Sequence, residues 1–262
     1  MTRDLTYRAA VAVGKVALRG LDLRVRSAGA EHLPTHGPVV LACNHVSFPD
    51  FVYVGQALLG TRRPVRFLCR ADIWDSPVGR LMEAMRHVPV DREAPAAAYL
   101  RARSLLEDGE VVCVFPEAGI SAAYAVRAMM PGAVALARET GAPLVPVTVW
   151  GGQRLWAQKR ALDAPFPRPE LLRGRTVDVR VGAPWDVPAD ADLVGTTRRL
   201  GETLQATLDE LQRLPEHRPR PGEWAPWHPE HLGGQALARE ASYHLDRMPR
   251  SAVAPTWDPA TA

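Results

Sequence analysis

Three short apolar runs dominate the chain: residues 39–43 (VVLAC), 111–115 (VVCVF) and 144–150 (LVPVTVW). Each is rich in β-branched residues and bounded by Gly or Pro: Gly37-Pro38 precedes the first, Gly109 the second and Gly141 the third. None alternates polar with apolar, so they read as strands buried on both faces. Strands of that kind need helices covering both sides of the sheet. Helical patterns at residues 51–59, 95–107, 131–140 and 193–214 supply them. The expected fold class is α/β, a single domain with a central mixed β-sheet flanked by helices.

Weaker strand signals fall at residues 21–26, 65–69, 88–90 and 177–181, and a loop and helix at 73–85. Residues 3–20 read as an N-terminal amphipathic helix. Arg8, Lys15 and Arg19 share one stripe, with Ala9, Val13, Val16 and Ala17 roughly opposite. Two readings stay open: a helix lying on a membrane with its cations toward head groups, or a surface helix packed on the body. From Pro215 onward Pro, Trp and His replace periodic sequence, which reads as an irregular C-terminal tail, wrapping the body or partly disordered. The divisions are therefore 1–20, 21–214 and 215–262. Trp74, Trp150 and Trp156 suit an apolar tunnel, an interfacial belt or ordinary core packing.

At 47% hydrophobic and 23% charged, the 262 residues have a globular composition. No run approaches the ~18 apolar residues of a membrane-crossing helix, and the first residues lack the marks of a secretory signal. A net charge of +3 and a pI near 9.0 suit an anionic membrane surface or a phosphorylated small molecule. Nucleic acid is not an expected partner, since no dense basic and aromatic patch appears. Cys43, Cys69 and Cys113 have no metal-ligand spacing and sit in strand-like runs, as buried reduced thiols of a cytosolic protein would.

The first strand runs into Asn44-His45-Val46-Ser47-Phe48-Pro49-Asp50. A strand end opening into a loop is where α/β proteins place catalytic groups. A turn across five residues can bring the His45 imidazole onto the Asp50 carboxylate, leaving the second ring nitrogen as a general base. Alone, a His and an Asp at this spacing pair by chance; other motifs give them weight. Asp91-Arg92 follows a short strand, Phe115-Pro116-Glu117 ends another, and Val145-Pro146-Val147 begins a third.

With these four motifs in order over residues 20–215, the chain resembles the glycerolipid acyltransferases, the lysophosphatidic acid acyltransferase-like enzymes. The resemblance implies transfer of a fatty acyl group from a thioester of coenzyme A or acyl carrier protein to a glycerolipid hydroxyl, most simply that of 1-acylglycerol-3-phosphate. It implies catalysis by His45 and Asp50, with Ser47 shaping the loop and Asn44 either shaping it or binding substrate. It also implies substrate-binding roles for Arg92 on the acceptor phosphate and for Glu117, on acceptor hydroxyls or as a brace. Gly119 and Ser121 would let the backbone pass close to the acceptor. No metal and no cofactor beyond the acyl donor is expected. The partners are a lipid acceptor and an anionic membrane, with the protein peripheral on the inner, cytoplasmic face.

The third motif departs from the family. Where the usual pattern is Phe-Pro-Glu-Gly-Thr-Arg-Ser, this chain has Phe115-Pro116-Glu117-Ala118-Gly119-Ile120-Ser121, and Met130 stands where a lysine is common. Two cations that would face the acceptor phosphate are absent. Either Arg92 and Arg127 hold the phosphate, or the acceptor is another lipid, such as a lysophospholipid, a glycolipid or an amino-lipid. A lipid- or carrier-binding protein without turnover is the rival from another class.

Overall fold

The computed structural model describes residues 5–91, 93–245 and 250–255. A seven-stranded sheet runs through it in the order β1-β7-β6-β2-β5-β3-β4. The strands are β1 (Arg24–Ala28), β2 (Val39–Cys43), β3 (Val65–Arg70), β4 (Val88–Val90), β5 (Val111–Val114), β6 (Leu144–Trp150) and β7 (Thr176–Val181). All neighbours are parallel except β6 and β7. The sheet is therefore mixed, with β1 and β7 reversed against the rest. Every residue of β2 and β6 is buried, which is why these two runs carry no polar alternation.

The helices are α1 (Leu5–Gly20), α2 (Asp50–Ala57), α3 (Gly79–Ala84), α4 (Ala96–Glu107), α5 (Gly132–Thr140), α6 (Leu193–Gln212) and, in the tail, the short α7 (Arg239–Ser242). Helix α2 packs with α1, and α5 packs with both α4 and α6. Asp192 caps α6 by accepting from the N–H groups of Val194 and Gly195. Among the described residues no helix is long and apolar enough to cross a membrane. The first weak strand is shifted from expectation. Residues 21–22 form a turn, with Asp22 at φ 48°, and β1 begins at Arg24.

Helix α1 departs from simple packing on the body. The face read as apolar stays open, with Val13 70% and Val16 68% exposed, while Leu18 is its one buried residue. Its hold on the body includes Tyr7, whose hydroxyl accepts from the Val65 N–H at 3.1 Å. The tail wraps the body: Ala225, His217 and His228 are buried, and Val253 pairs in an antiparallel bridge with Met129.

His87 precedes β4 and is 5% exposed; its Nδ1 accepts from the Phe67 N–H at 3.1 Å. Burial, then the nearby Arg66 cation, pulls this imidazole down from 6.5 to about 4. The folded state thus prefers neutral His87. Its contribution is complete above the unfolded value and is lost as pH falls from about 6.5 to 4. We expect His87→Gln to flatten that segment of the stability-versus-pH curve by about 3 kcal/mol, read by denaturant titration at each pH. An unaltered slope in the variant would contradict this.

Candidate active site

The central strands β2 and β5 end side by side, and their carboxyl ends carry the two polar motifs. Asn44 continues the pairing past β2. Its side chain donates from Nδ2 to the Val149 carbonyl at 3.1 Å and accepts on Oδ1 from the Val149 N–H at 2.7 Å. With no exposure and both functions used on β6, Asn44 fixes where the loop leaves the sheet.

Asp50 opens α2 and is completely buried. Its Oδ2 accepts from His45 Nδ1, from the Val46 N–H and from the Ser47 N–H, each at 2.8 Å. Its Oδ1 accepts from the Ser47 hydroxyl. A carboxylate acceptor requires the proton on Nδ1, so the neutral ring presents a bare Nε2. The His45 side chain is 18% exposed, which leaves one edge open to an approaching molecule. Phe115 stacks on the ring at a centroid distance of 4.3 Å and limits its rotation. Ser47, bound to Asp50, is held as a loop brace.

The motif after β5 holds the His45 loop in place. Glu117 is 1% exposed; Oε1 accepts from the His45 N–H at 2.7 Å and Oε2 from the Arg127 N–H at 2.8 Å. The His45 carbonyl accepts from the Ser121 N–H at 2.8 Å, and the Ser121 hydroxyl donates to the Ala125 carbonyl at 2.7 Å. Of the two roles expected for Glu117, this geometry matches the brace. At Gly119 a Cβ would meet the terminal nitrogen of the Arg127 side chain, which would have to shift to admit it. Arg127 itself is buried, and Ile120 is buried with it. Arg92 lies outside the described residues.

Several supports were missed in the sequence. A Cβ on Gly152 would strike the side chains of Ser47 and Tyr53 and crowd Asp50, so only glycine lets the turn after β6 close on the dyad. The Gly151-Gly152 pair directly after an apolar strand was the available signal. From α6, Gln205 Oε1 accepts from the Val126 N–H at 2.7 Å, and Gln212 Nε2 donates to the Tyr124 carbonyl at 2.8 Å. Arg239 in the tail donates to the Val126 carbonyl at 2.8 Å. Two glutamines and a tail arginine gave no sequence signal. Trp150 is fully buried, matching core packing, whereas Trp156 lies beside Phe48 with ring centroids 5.1 Å apart.

Ala118 has φ 51°, in the left-handed region that costs a side-chain-bearing residue about 1–2 kcal/mol. Glycine would relieve this at an entropic cost of about 0.5–1 kcal/mol. Ala118→Gly is therefore expected to stabilise the protein by about 0.5–1 kcal/mol, seen as a higher denaturation midpoint at unchanged m value. Destabilisation would show that the methyl group packs better than its backbone strain costs.

A family model described as Acyltransferase matches residues 24–150, the segment holding both β2 and β5 and their loops. The 1-acyl-sn-glycerol-3-phosphate acyltransferase of Bacillus subtilis (strain 168) is 25% identical over 204 residues, covering 74% of this chain and 94% of that protein. The chloroplastic 1-acyl-sn-glycerol-3-phosphate acyltransferase BAT2 of Brassica napus is 34% identical over 128 residues, covering 47% of this chain and 36% of its own length. In fold, the chain is similar to the 1-acyl-sn-glycerophosphate acyltransferase of Thermotoga maritima. The TM-score is 0.66 at 22% identity, covering 80% of this chain and 81% of the other. The matched segment contains the buried dyad, its glutamate brace and the strands that present them, so residues 24–150 are an acyltransferase domain and the protein is an O-acyltransferase.

Proposed function

We propose that the protein transfers a fatty acyl group from a thioester of coenzyme A or acyl carrier protein to the free hydroxyl of 1-acylglycerol-3-phosphate, giving phosphatidic acid. The observation that carries this is the His45 Nδ1–Asp50 Oδ2 hydrogen bond of 2.8 Å around a fully buried carboxylate. In the proposed step, His45 Nε2 takes the hydroxyl proton as the oxygen attacks the thioester carbonyl. The C–O bond forms, the tetrahedral intermediate collapses, the C–S bond breaks, and the imidazolium returns the proton to the thiolate. Asp50 stabilises the imidazolium and keeps the tautomer. The step needs neither metal nor cofactor beyond the donor.

Glu117, Ser121 and Asn44 act as positioning residues, through backbone groups. Arg127 is our candidate for the acceptor phosphate together with Arg92: its guanidinium lies against Gly119, one residue from the position where the family carries arginine. Guanidinium suits phosphate because it can bond two oxygens at once. The buried Ile120 favours a second reading, the same chemistry on a lipid acceptor without that phosphate. We place the protein peripherally on the inner membrane face, a reading supported by the exposed Val13 and Val16 of α1.

The test is transfer of labelled palmitoyl from its coenzyme A thioester, and from acyl carrier protein, to a panel of lysophospholipids. Lysophosphatidic acid should be acylated, and His45→Ala should lower kcat by about 10²–10⁴-fold. Arg127→Met should raise KM for this acceptor more than for uncharged ones. Transfer confined to other acceptors would establish the second reading, and His45-independent turnover would remove the dyad from the mechanism.

A further inference from the structure

The chain between the turn after β6 and the start of β7 is long, exposed and attached to the catalytic end. Strands β6 and β7 are antiparallel, with Trp150 opposite Asp178, so residues 155–175 stay at the end of the sheet where the dyad lies. Two bonds close the base of this loop. The Glu170 N–H donates to the Leu155 carbonyl at 2.7 Å, and Trp156 Nε1 donates to the Pro167 carbonyl at 2.7 Å. A third contact reaches the dyad's own loop: the Phe48 N–H donates to the Trp156 carbonyl at 3.2 Å, and Phe166 sits 5.2 Å from the Phe48 ring. Phe48 lies three residues after His45 and two before Asp50.

What the loop shows to solvent is unusual for a polar surface. Leu162, Phe166, Leu171 and Leu172 are between 62% and 65% exposed. Arg160, Arg168 and Arg173 are exposed among them, against the acidic Asp163 and Glu170. Glu170 already pairs with Arg175 at 3.0 Å. Pro165, Pro167 and Pro169 stiffen the segment, which lowers the entropy lost when it docks. Large apolar side chains clustered with cations are what an anionic bilayer interface accepts: aliphatic and aromatic groups enter the acyl boundary while guanidinium groups remain at the phosphates. An acidic protein would satisfy the cations and leave four large apolar side chains without a partner.

We propose that residues 157–173 form the bilayer-docking element, inserting Leu162, Phe166, Leu171 and Leu172 and seating the catalytic end on anionic lipid. The proposal rests on the reading that the acceptor is a membrane lipid. An acceptor with two long chains after acylation need not leave the membrane if the open edge of His45 faces the interface. The surface extends to α1, because β1 is parallel to β7 and the Gly174 N–H donates to the Leu21 carbonyl at 3.2 Å. The C-terminal end of α1, with Arg19, therefore adjoins the loop base.

Sedimentation with vesicles of phosphatidylcholine, with and without phosphatidylglycerol, measures docking apart from transfer. Wild type should prefer the anionic vesicles, and the preference should weaken with salt. The double variant Leu171→Glu/Leu172→Glu should partition at least about tenfold less. Arg168→Ser/Arg173→Ser should lose the anionic preference by about fivefold per arginine. Both should keep the wild-type melting temperature and turnover with a monomeric short-chain acceptor. Wild-type partitioning in the Leu171→Glu/Leu172→Glu protein overturns the proposal. So does loss of binding in Val13→Glu/Val16→Glu alone, which would assign docking to α1. Loop variants that lose only acyl carrier protein binding would also overturn it. Vesicle binding without acyl transfer would sink the proposed activity and leave the docking element standing.

Discussion

Asp50→Asn is expected to lower kcat by about 10²–10⁴-fold with little change in KM. The substitution is nearly isosteric, and the site can absorb it in one orientation. The asparagine oxygen would replace Oδ2 and go on accepting from His45 Nδ1, Val46 N–H and Ser47 N–H. Its NH2 would then face the Ser47 hydroxyl, which can rotate to accept. The reverse orientation would aim an NH2 at three donors and is disfavoured. The loop and tautomer therefore survive, and what disappears is the negative charge that stabilises the imidazolium as it forms. Exchanging charge-assisted bonds for neutral ones also costs about 1–3 kcal/mol of stability. Steady-state kinetics with a parallel melting curve separates the two effects. A variant within about fivefold of wild-type kcat would show that Asp50 serves only to fold the loop.

Glu117→Ala should be the most damaging change to stability, by about 3–5 kcal/mol. Its two oxygens each serve a different backbone N–H, that of His45 and that of Arg127, and the site is closed to water. Alanine orphans both donors. Glu117→Gln is the sharper variant, since glutamine has one oxygen for two donors and must point its NH2 at the other. It should cost about 1–3 kcal/mol and still lower kcat on the order of 10²-fold, because a shift of His45 by about 1 Å is enough. If Glu117 instead held acceptor hydroxyls, Glu117→Gln would raise KM and leave the melting temperature alone. Measuring both quantities on the same preparation decides between brace and substrate contact.

The two residues illustrate how differently the site was encoded. His45 and Asp50 are five residues apart, so a local turn alone brings them together, and the motif was readable as chemistry before any fold was known. Glu117 is 72 residues from His45. Its sequence context announced importance but left its role open between substrate and scaffold, and only the pairing of β2 with β5 shows which groups its oxygens meet.

The sequence by itself determined the α/β class and the identity of the buried strands, because strands covered on both faces must be continuously apolar and β-branched. It also determined the dyad, whose partners are local. The tertiary structure decided the rest. It set the reversed edge made by β7 and β1, which no alternation pattern reports. It set the collision of a Gly152 side chain with Ser47 and Tyr53, and the support of residues 124–126 by α6 and the tail. It also decided that the apolar side chains of 162–172 remain outside the core. A leucine in a loop carries the same hydrophobicity whether it is buried or exposed. Its fate depends on whether the remaining chain has surface left to cover it, and that is settled only when all layers have packed.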